Sequence, residues 1–217
     1  MLYDAETDRY FLCSTTKAMV FIVNRKNNTV ETITSTVAGK RFASCRNVRK
    51  DRAGIIWLLT DDAVYQYNQS LKGFVQFQMP EGKGAFRDVI LDTDGNYWFS
   101  GFMGTISFYD SKKKKFTIPA DSATVADIIK SNPLFLDTTN GNVWIGTFSH
   151  GVYKYHLKTK KFTLYTESPE ARHYTPLNLV HDITQDKTGA VWVATHSGGV
   201  LKYVDGRSYE KSFTVLS

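Results

Sequence analysis

The chain has 217 residues, 42% hydrophobic and 14% aromatic, and its 27 basic and 21 acidic residues leave a net charge of +6. This length can bury a substantial core, and no run approaches the roughly 18 consecutive apolar residues of a membrane-crossing helix. The start at Met1 lacks the basic and apolar pattern of a secretory leader, and the modest basic excess comes with no groove-reading motif, so nucleic acid is not an expected partner.

One short phrase returns along the chain, with an acidic residue and a glycine ahead of an aromatic residue. It is worn in Asp4-Ala-Glu-Thr-Asp-Arg-Tyr-Phe-Leu-Cys-Ser-Thr15, where Asp8 stands in place of the glycine. It is clear in Asp51-Arg-Ala-Gly-Ile-Ile-Trp-Leu-Leu-Thr60 and in Asp92-Thr-Asp-Gly-Asn-Tyr-Trp-Phe-Ser-Gly101. The last two copies are Asp137-Thr-Thr-Asn-Gly-Asn-Val-Trp-Ile-Gly-Thr147, which carries one extra residue before its glycine, and Asp186-Lys-Thr-Gly-Ala-Val-Trp-Val-Ala-Thr195. The aromatic positions Phe11, Trp57, Trp98, Trp144 and Trp192 are 46, 41, 46 and 48 residues apart, and a period in the forties signals stacked repeats.

Each phrase is turn chemistry between two strands. Asp bonds the backbone two residues on, and Gly54, Gly95, Gly141 and Gly189 supply positive φ. Val48, Val89, Leu134 and Ile183 sit three residues ahead of the Asp on a first strand, and the aromatic lies on a second. A second turn follows, with Gly104, Gly151 or Gly198 and Gly199, and then period-two strands such as Val152 to Tyr155 and Val200 to Tyr203. A polar, often basic third turn leads to a last strand near Phe74, Phe116, Phe162 or Phe213. Four short strands per unit predict an all-β propeller of four-stranded antiparallel blades, here over residues 1–40, 41–80, 81–121, 122–173 and 174–217. Trp57, Trp98, Trp144 and Trp192 read as fillers between neighbouring sheets, not as catalytic groups.

These phrases closely resemble the two-component regulator propeller repeat, with Gly141 to Tyr155 the nearest copy and matches in register over almost the whole chain. The resemblance implies a periplasmic sensor region of a Bacteroides-type hybrid two-component histidine kinase, one that responds to oligosaccharides released from glycans. It also implies signalling domains elsewhere in a parent chain, and because the repeats lack the usual closure between termini the chain is expected to be part of a larger, seven-bladed propeller. The expected function is therefore a non-enzymatic ligand-binding propeller with no cofactor and no metal. A propeller enzyme, lyase or hydrolase, and a protein-interaction scaffold are the alternatives; no distinctive acid, base or metal set favours the enzyme.

The first repeat is expected to lack its innermost strand, because it starts at its first turn, and Phe213 to Ser217 are spent on the last repeat. That predicts an open edge able to pair with a second copy as a homodimer. The basic runs Lys112 to Lys115 and Lys158, Lys160 and Lys161 fall on third turns, where solvated hairpin tips explain them. Cys13 and Cys45 fall on strands of neighbouring blades and read as free thiols.

Propellers commonly bind at the end where the second turn and the link to the next blade emerge. Here that end gathers Phe102, Met103, Phe148, Ser149, His150, His196 and Ser197, with Lys83, Arg87, Arg172 and His173 on the links. Aromatic faces suit sugar rings, and Arg, His and Ser suit hydroxyls or carboxylates. His150 and His196 match in consecutive blades, yet spacing fixes no carboxylate or thiol beside them, so they read as rim histidines and not as a metal site.

Overall fold

A computed structural model of the chain describes residues 1–80, 84–103, 106–117, 131–148, 151–165, 179–196, 198–203 and 213–215. Those residues form strands and turns without helix, in five four-stranded antiparallel sheets of consecutive strands, the architecture of propeller blades. The sheets comprise β1–β4 (Leu2–Asp4, Arg9–Ser14, Met19–Asn24, Thr29–Ile33) and β5–β8 (Cys45–Lys50, Ile56–Thr60, Val64–Asn68, Gly73–Phe77). They continue with β9–β12 (Gly84–Leu91, Tyr97–Met103, Ser107–Asp110, Lys115–Thr117), β13–β16 (Ser131–Asp137, Asn142–Thr147, Val152–His156, Lys161–Tyr165) and β17–β20 (Val180–Gln185, Val191–Thr195, Val200–Tyr203, Phe213–Val215). Two compact units are distinguished, one of residues 1–89 with 101–104 and one of residues 90–100 with 105–217.

The first repeat corrects one expectation. It does not lack its innermost strand: Leu2–Asp4 forms β1 and pairs with β2 in the register Leu2↔Phe11, Tyr3↔Tyr10 and Asp4↔Arg9. Three residues ahead of the turn suffice for a short strand, and the turn itself holds because Asp8, standing where the other repeats have glycine, adopts φ 55°. Asp is among the few residues that tolerate this left-handed conformation.

The Asp-Gly turns share one hydrogen-bond plan. In the second sheet, Asp51 Oδ1 accepts from the backbone N–H groups of Ala53 (2.9 Å) and Ile55 (3.0 Å), and Oδ2 accepts from the Trp57 indole (2.8 Å). Asp92 does the same with Asp94, Asn96 and Trp98, and Asp186 with Thr188, Ala190 and Trp192. One carboxylate thus ties the turn to the aromatic that fills the core. Gly54, Gly95 and Gly189 occupy φ between 84° and 87° in these turns, a conformation that a Cβ would strain.

Between sheets, the aromatic of one repeat packs on the third-strand tyrosine of the next. In the first unit Phe11 meets Tyr67 edge-on at 5.4 Å. In the second, Trp98 meets Tyr155 at 4.8 Å and Trp144 meets Tyr203 at 4.7 Å. Phe11, Trp57 and Trp98 are fully buried, and truncating one to alanine would cost on the order of 3–5 kcal/mol. The third turns place Lys72, Lys114 and Lys160 at positive φ, with Lys112 to Lys115 exposed, so the basic runs are hairpin tips among the described residues.

Candidate ligand-binding rim

The end of each blade where β-strand two gives way to the second turn is built from backbone outward. Thr60 accepts the Ala63 N–H on its hydroxyl (3.0 Å) and donates to the Ala63 carbonyl (2.8 Å). Thr147 and Thr195 donate to the carbonyls of Gly151 and Gly199. The threonines therefore close turns, as their chemistry predicts.

The residue just after each threonine occupies a repeated backbone position. The Asp61 N–H donates to Ser44 O (3.2 Å), and Asp61 O accepts from Ala85 N–H (2.6 Å) in the next sheet. In the second unit Phe148 O accepts from Leu179 N–H (3.2 Å), and His196 N–H donates to Leu179 O (3.1 Å). Ala85 and Leu179 hold φ of 51° and 53° to make these bonds. Close backbone approach also explains two glycines: a Cβ on Gly84 would lie 2.8 Å from Asp61 O, and one on Gly101 would lie 2.9 Å from Gly84 O.

On this frame the first unit carries a charged cluster. Arg46 grips Asp61 with both ends of its guanidinium, Nε to Oδ1 at 2.6 Å and Nη2 to Oδ2. Arg87 Nη1 lies 3.6 Å from Asp61 Oδ1. The Arg46 hydrogen bond holds the Asp61 carboxyl below its usual range, and burial pushes the Arg87 guanidinium down. Two cations share one anion, so the cluster is net positive and partly dehydrated, a setting that suits a second carboxylate or polarised hydroxyls.

In the second unit His181 Nε2 lies 3.2 Å from His196 Nδ1, and the rings are 5.5 Å apart. Phe148 stands exposed on the same backbone frame. Arg46 and His181 occupy equivalent sites, for the inner strand shifts register between Cys45 and Asn47 and between Val180 and Asp182. An extra residue in one strand re-aims its side chain, and here the bulged residue meets the one after the threonine.

Of the predicted rim residues, Arg87, Phe148 and His196 lie at this end. Phe102 and Met103 are the last residues of strand β10, not of a turn, because β10 runs on to Met103. Lys83, Ser149, His150, Arg172, His173 and Ser197 fall outside the described residues. Sequence reasoning missed Arg46, Asp61 and His181. Their signal was available: Cys45 and Val48, like Val180 and Ile183, are buried at a spacing of three where an unbroken strand would give two.

Among the described residues, clefts occur elsewhere. One of about 360 Å³ lies between Asp137, Asn142, Thr188 and Tyr203, and one of about 220 Å³ between Arg9, Glu31, Tyr67 and Lys72. Both are wedges between adjacent sheets, the former near first turns and the latter mainly near third turns, and in the former Asp137 is already bonded by Asn140, Asn142 and Gln185. No group of three or more His, Cys, Asp or Glu suited to a metal occurs among the described residues.

No family model matches the chain, and no curated protein matches it in sequence. Solved structures do. The extracellular domain of BT4673 from B. thetaiotaomicron, described as part of a one component or hybrid two component system, aligns over 100% of this chain with a TM-score of 0.69 and 17% identity. That of BT3049, from a hybrid two component system of the same organism, covers 91% with a TM-score of 0.59 and 20% identity. Virginiamycin B lyase from Staphylococcus aureus covers 94% with a TM-score of 0.62 and 11% identity. The chain spans 30% and 27% of the length of the first two proteins and 69% of the lyase. A fold shared by extracellular domains of such signalling systems and a lyase establishes the architecture, and the chain is built as a run of β-propeller blades.

Proposed function

We propose that the chain is the ligand-binding propeller segment of a larger periplasmic sensor in a two-component system, non-enzymatic in itself and responsive to glycan-derived oligosaccharides. The observation that carries this reading is the rim. One backbone plan is repeated, yet the residue it presents changes from Asp61 to Phe148 to His196, while the turn-closing threonines beside them keep their role. Varied side chains on a fixed frame are how loops acquire binding specificity. The solved extracellular domains with this fold support the setting, and the rest of the propeller and the signalling domains would be supplied by the parent chain.

A thermal-shift screen with neutral and acidic oligosaccharides tests it. Selective stabilisation without consumption of the sugar is the expected result, since a ligand at 100 times its Kd adds about 2.7 kcal/mol of stability. At least one of Arg46→Ala, in the first unit, and His196→Ala, in the second, should weaken the response. Turnover of a sugar would replace the sensor reading with an enzymatic one, and an unchanged response in both variants would remove the rim from the site.

A further inference from the structure

The two cysteines of the chain meet across neighbouring sheets. Cys45 lies on β5 inside the buried cluster of the first unit, and Cys13, on β2 of the preceding sheet, packs against that same cluster. Cys45 is fully buried, whereas Cys13 is half-buried and reaches solvent.

The repeat supplies an independent measure of how near these backbones come. Cys13 follows its aromatic, Phe11, by two residues, as Gly146 follows Trp144. Cys45 precedes Asp51 by six, as Val180 precedes Asp186. In that later pair a Cβ built on Gly146 would fall 2.8 Å from the Val180 Cβ. At this place the second strand of one blade and the first strand of the next approach closely, and a disulfide asks for Cβ atoms only about 3.8 Å apart. Glycine opposite valine relieves the crowding in one repeat; two thiols occupy it in the other.

We propose that Cys13 and Cys45 are a disulfide site, at which a small-molecule or protein disulfide oxidises the pair to a covalent staple between the first and second sheets. The Cys13 thiolate attacks the oxidant's S–S bond, forming a mixed disulfide and expelling one thiolate. Cys45 then loses its proton and attacks the Cys13 sulfur, closing the Cys13–Cys45 bond and expelling the second thiolate. The pair gives up two electrons and two protons, and the oxidant leaves as two thiols. Exposure makes Cys13 the entry point. The Cys45 contact also holds the Cys13 thiol below its ordinary range, and that same contact with burial pushes Cys45 up, so the order of attack is set by the site. The staple does not depend on the sensor reading, because it follows from the packing of two blades.

Incubation of the folded chain with oxidised glutathione, read by intact mass and non-reducing peptide mapping, tests this. The expected product is a monomer lighter by about 2 Da with Cys13 and Cys45 peptides joined, melting higher by on the order of 5–10 °C. Cys45→Ser should instead trap glutathione on Cys13, and Cys13→Ser should stay unmodified. A wild-type chain that remains a dithiol, keeps glutathione on Cys13, or joins two chains would overturn the proposal without any variant having to fold.

Discussion

Trp57 gives its indole N–H to Asp51 across an interval of six residues, whereas Trp144, seven residues after Asp137, has a buried Nε1 with no hydrogen-bond partner among the described residues. The one extra residue ahead of Gly141 moves the carboxylate away from its own aromatic. Phe11, seven residues after Asp4, has no side-chain N–H to offer. In both seven-residue repeats the freed carboxylate is taken by the next sheet, at the same place: Lys50 Nζ lies 2.6 Å from Asp4 Oδ1, and Gln185 Nε2 lies 2.9 Å from Asp137 Oδ1. Lys50 and Gln185 immediately precede the Asp of their own repeats, and the corresponding residues of the third and fourth repeats are Leu91 and Leu136.

Trp57→Phe should therefore cost more than Trp144→Phe. The first removes a buried hydrogen bond and strands a carboxylate oxygen; the second removes an N–H that has no partner. A difference of about 1–3 kcal/mol is expected from urea denaturation of the two variants.

Removing Lys50 alone should be worse than removing both partners. Asp4 is almost fully buried, so Lys50→Met leaves an uncompensated carboxylate at a cost of about 3–5 kcal/mol. Adding Asp4→Asn to Lys50→Met should recover most of that loss, and the double-mutant cycle measures the coupling.

Acid should unfold the chain partly through Asp4. Burial opposes its charge, but the Lys50 and Thr7 hydrogen bonds prevail and hold its carboxyl below the usual range. A carboxyl depressed in the folded state stabilises fully above its unfolded pKa, about 3.9, and that contribution fades as pH falls through the folded value. Asp137 and Asp61 carry the same sign, with Asn140 and Gln185 prevailing over burial at the first and Arg46 leading at the second. Melting temperature should fall below about pH 4, and Asp4→Asn should flatten that fall.

Much of the fold was legible in the sequence because each turn needs particular atoms. The Asp-Gly phrase located every first turn, and Asp8 could be recognised as glycine's substitute since it takes the same left-handed conformation. The short β1 was not legible, for three residues carry no periodicity of their own. Arg87, Phe148 and His196 were found at the rim by topology, while Arg46 and His181 escaped because a bulge leaves composition unchanged and betrays itself only in the spacing of buried residues. The partner of Asp137 was hidden too, as it lies 48 residues away on another sheet.

Gly84→Ala should destabilise more than Gly95→Ala although only Gly95 has positive φ. The new Cβ at Gly84 would press on the Asp61 carbonyl, which belongs to the backbone and cannot swing aside, whereas nothing lies within 4 Å of the Cβ at Gly95. Costs of about 1–3 kcal/mol against about 1 kcal/mol are expected in parallel denaturant titrations.

The sequence of intervals along the chain, seven, six, six, seven and six residues, gives the repeats an order of assembly. A blade with the longer interval turns a carboxylate oxygen that its own aromatic does not take toward the next sheet, and is followed by a blade whose first strand ends in a polar side chain, as the first is by Lys50 and the fourth by Gln185. Exchanging the second and third blades for each other would respect that grammar only if the blade after the first still brought its lysine, so shuffled or consensus versions of this chain would have to move such blades as couples.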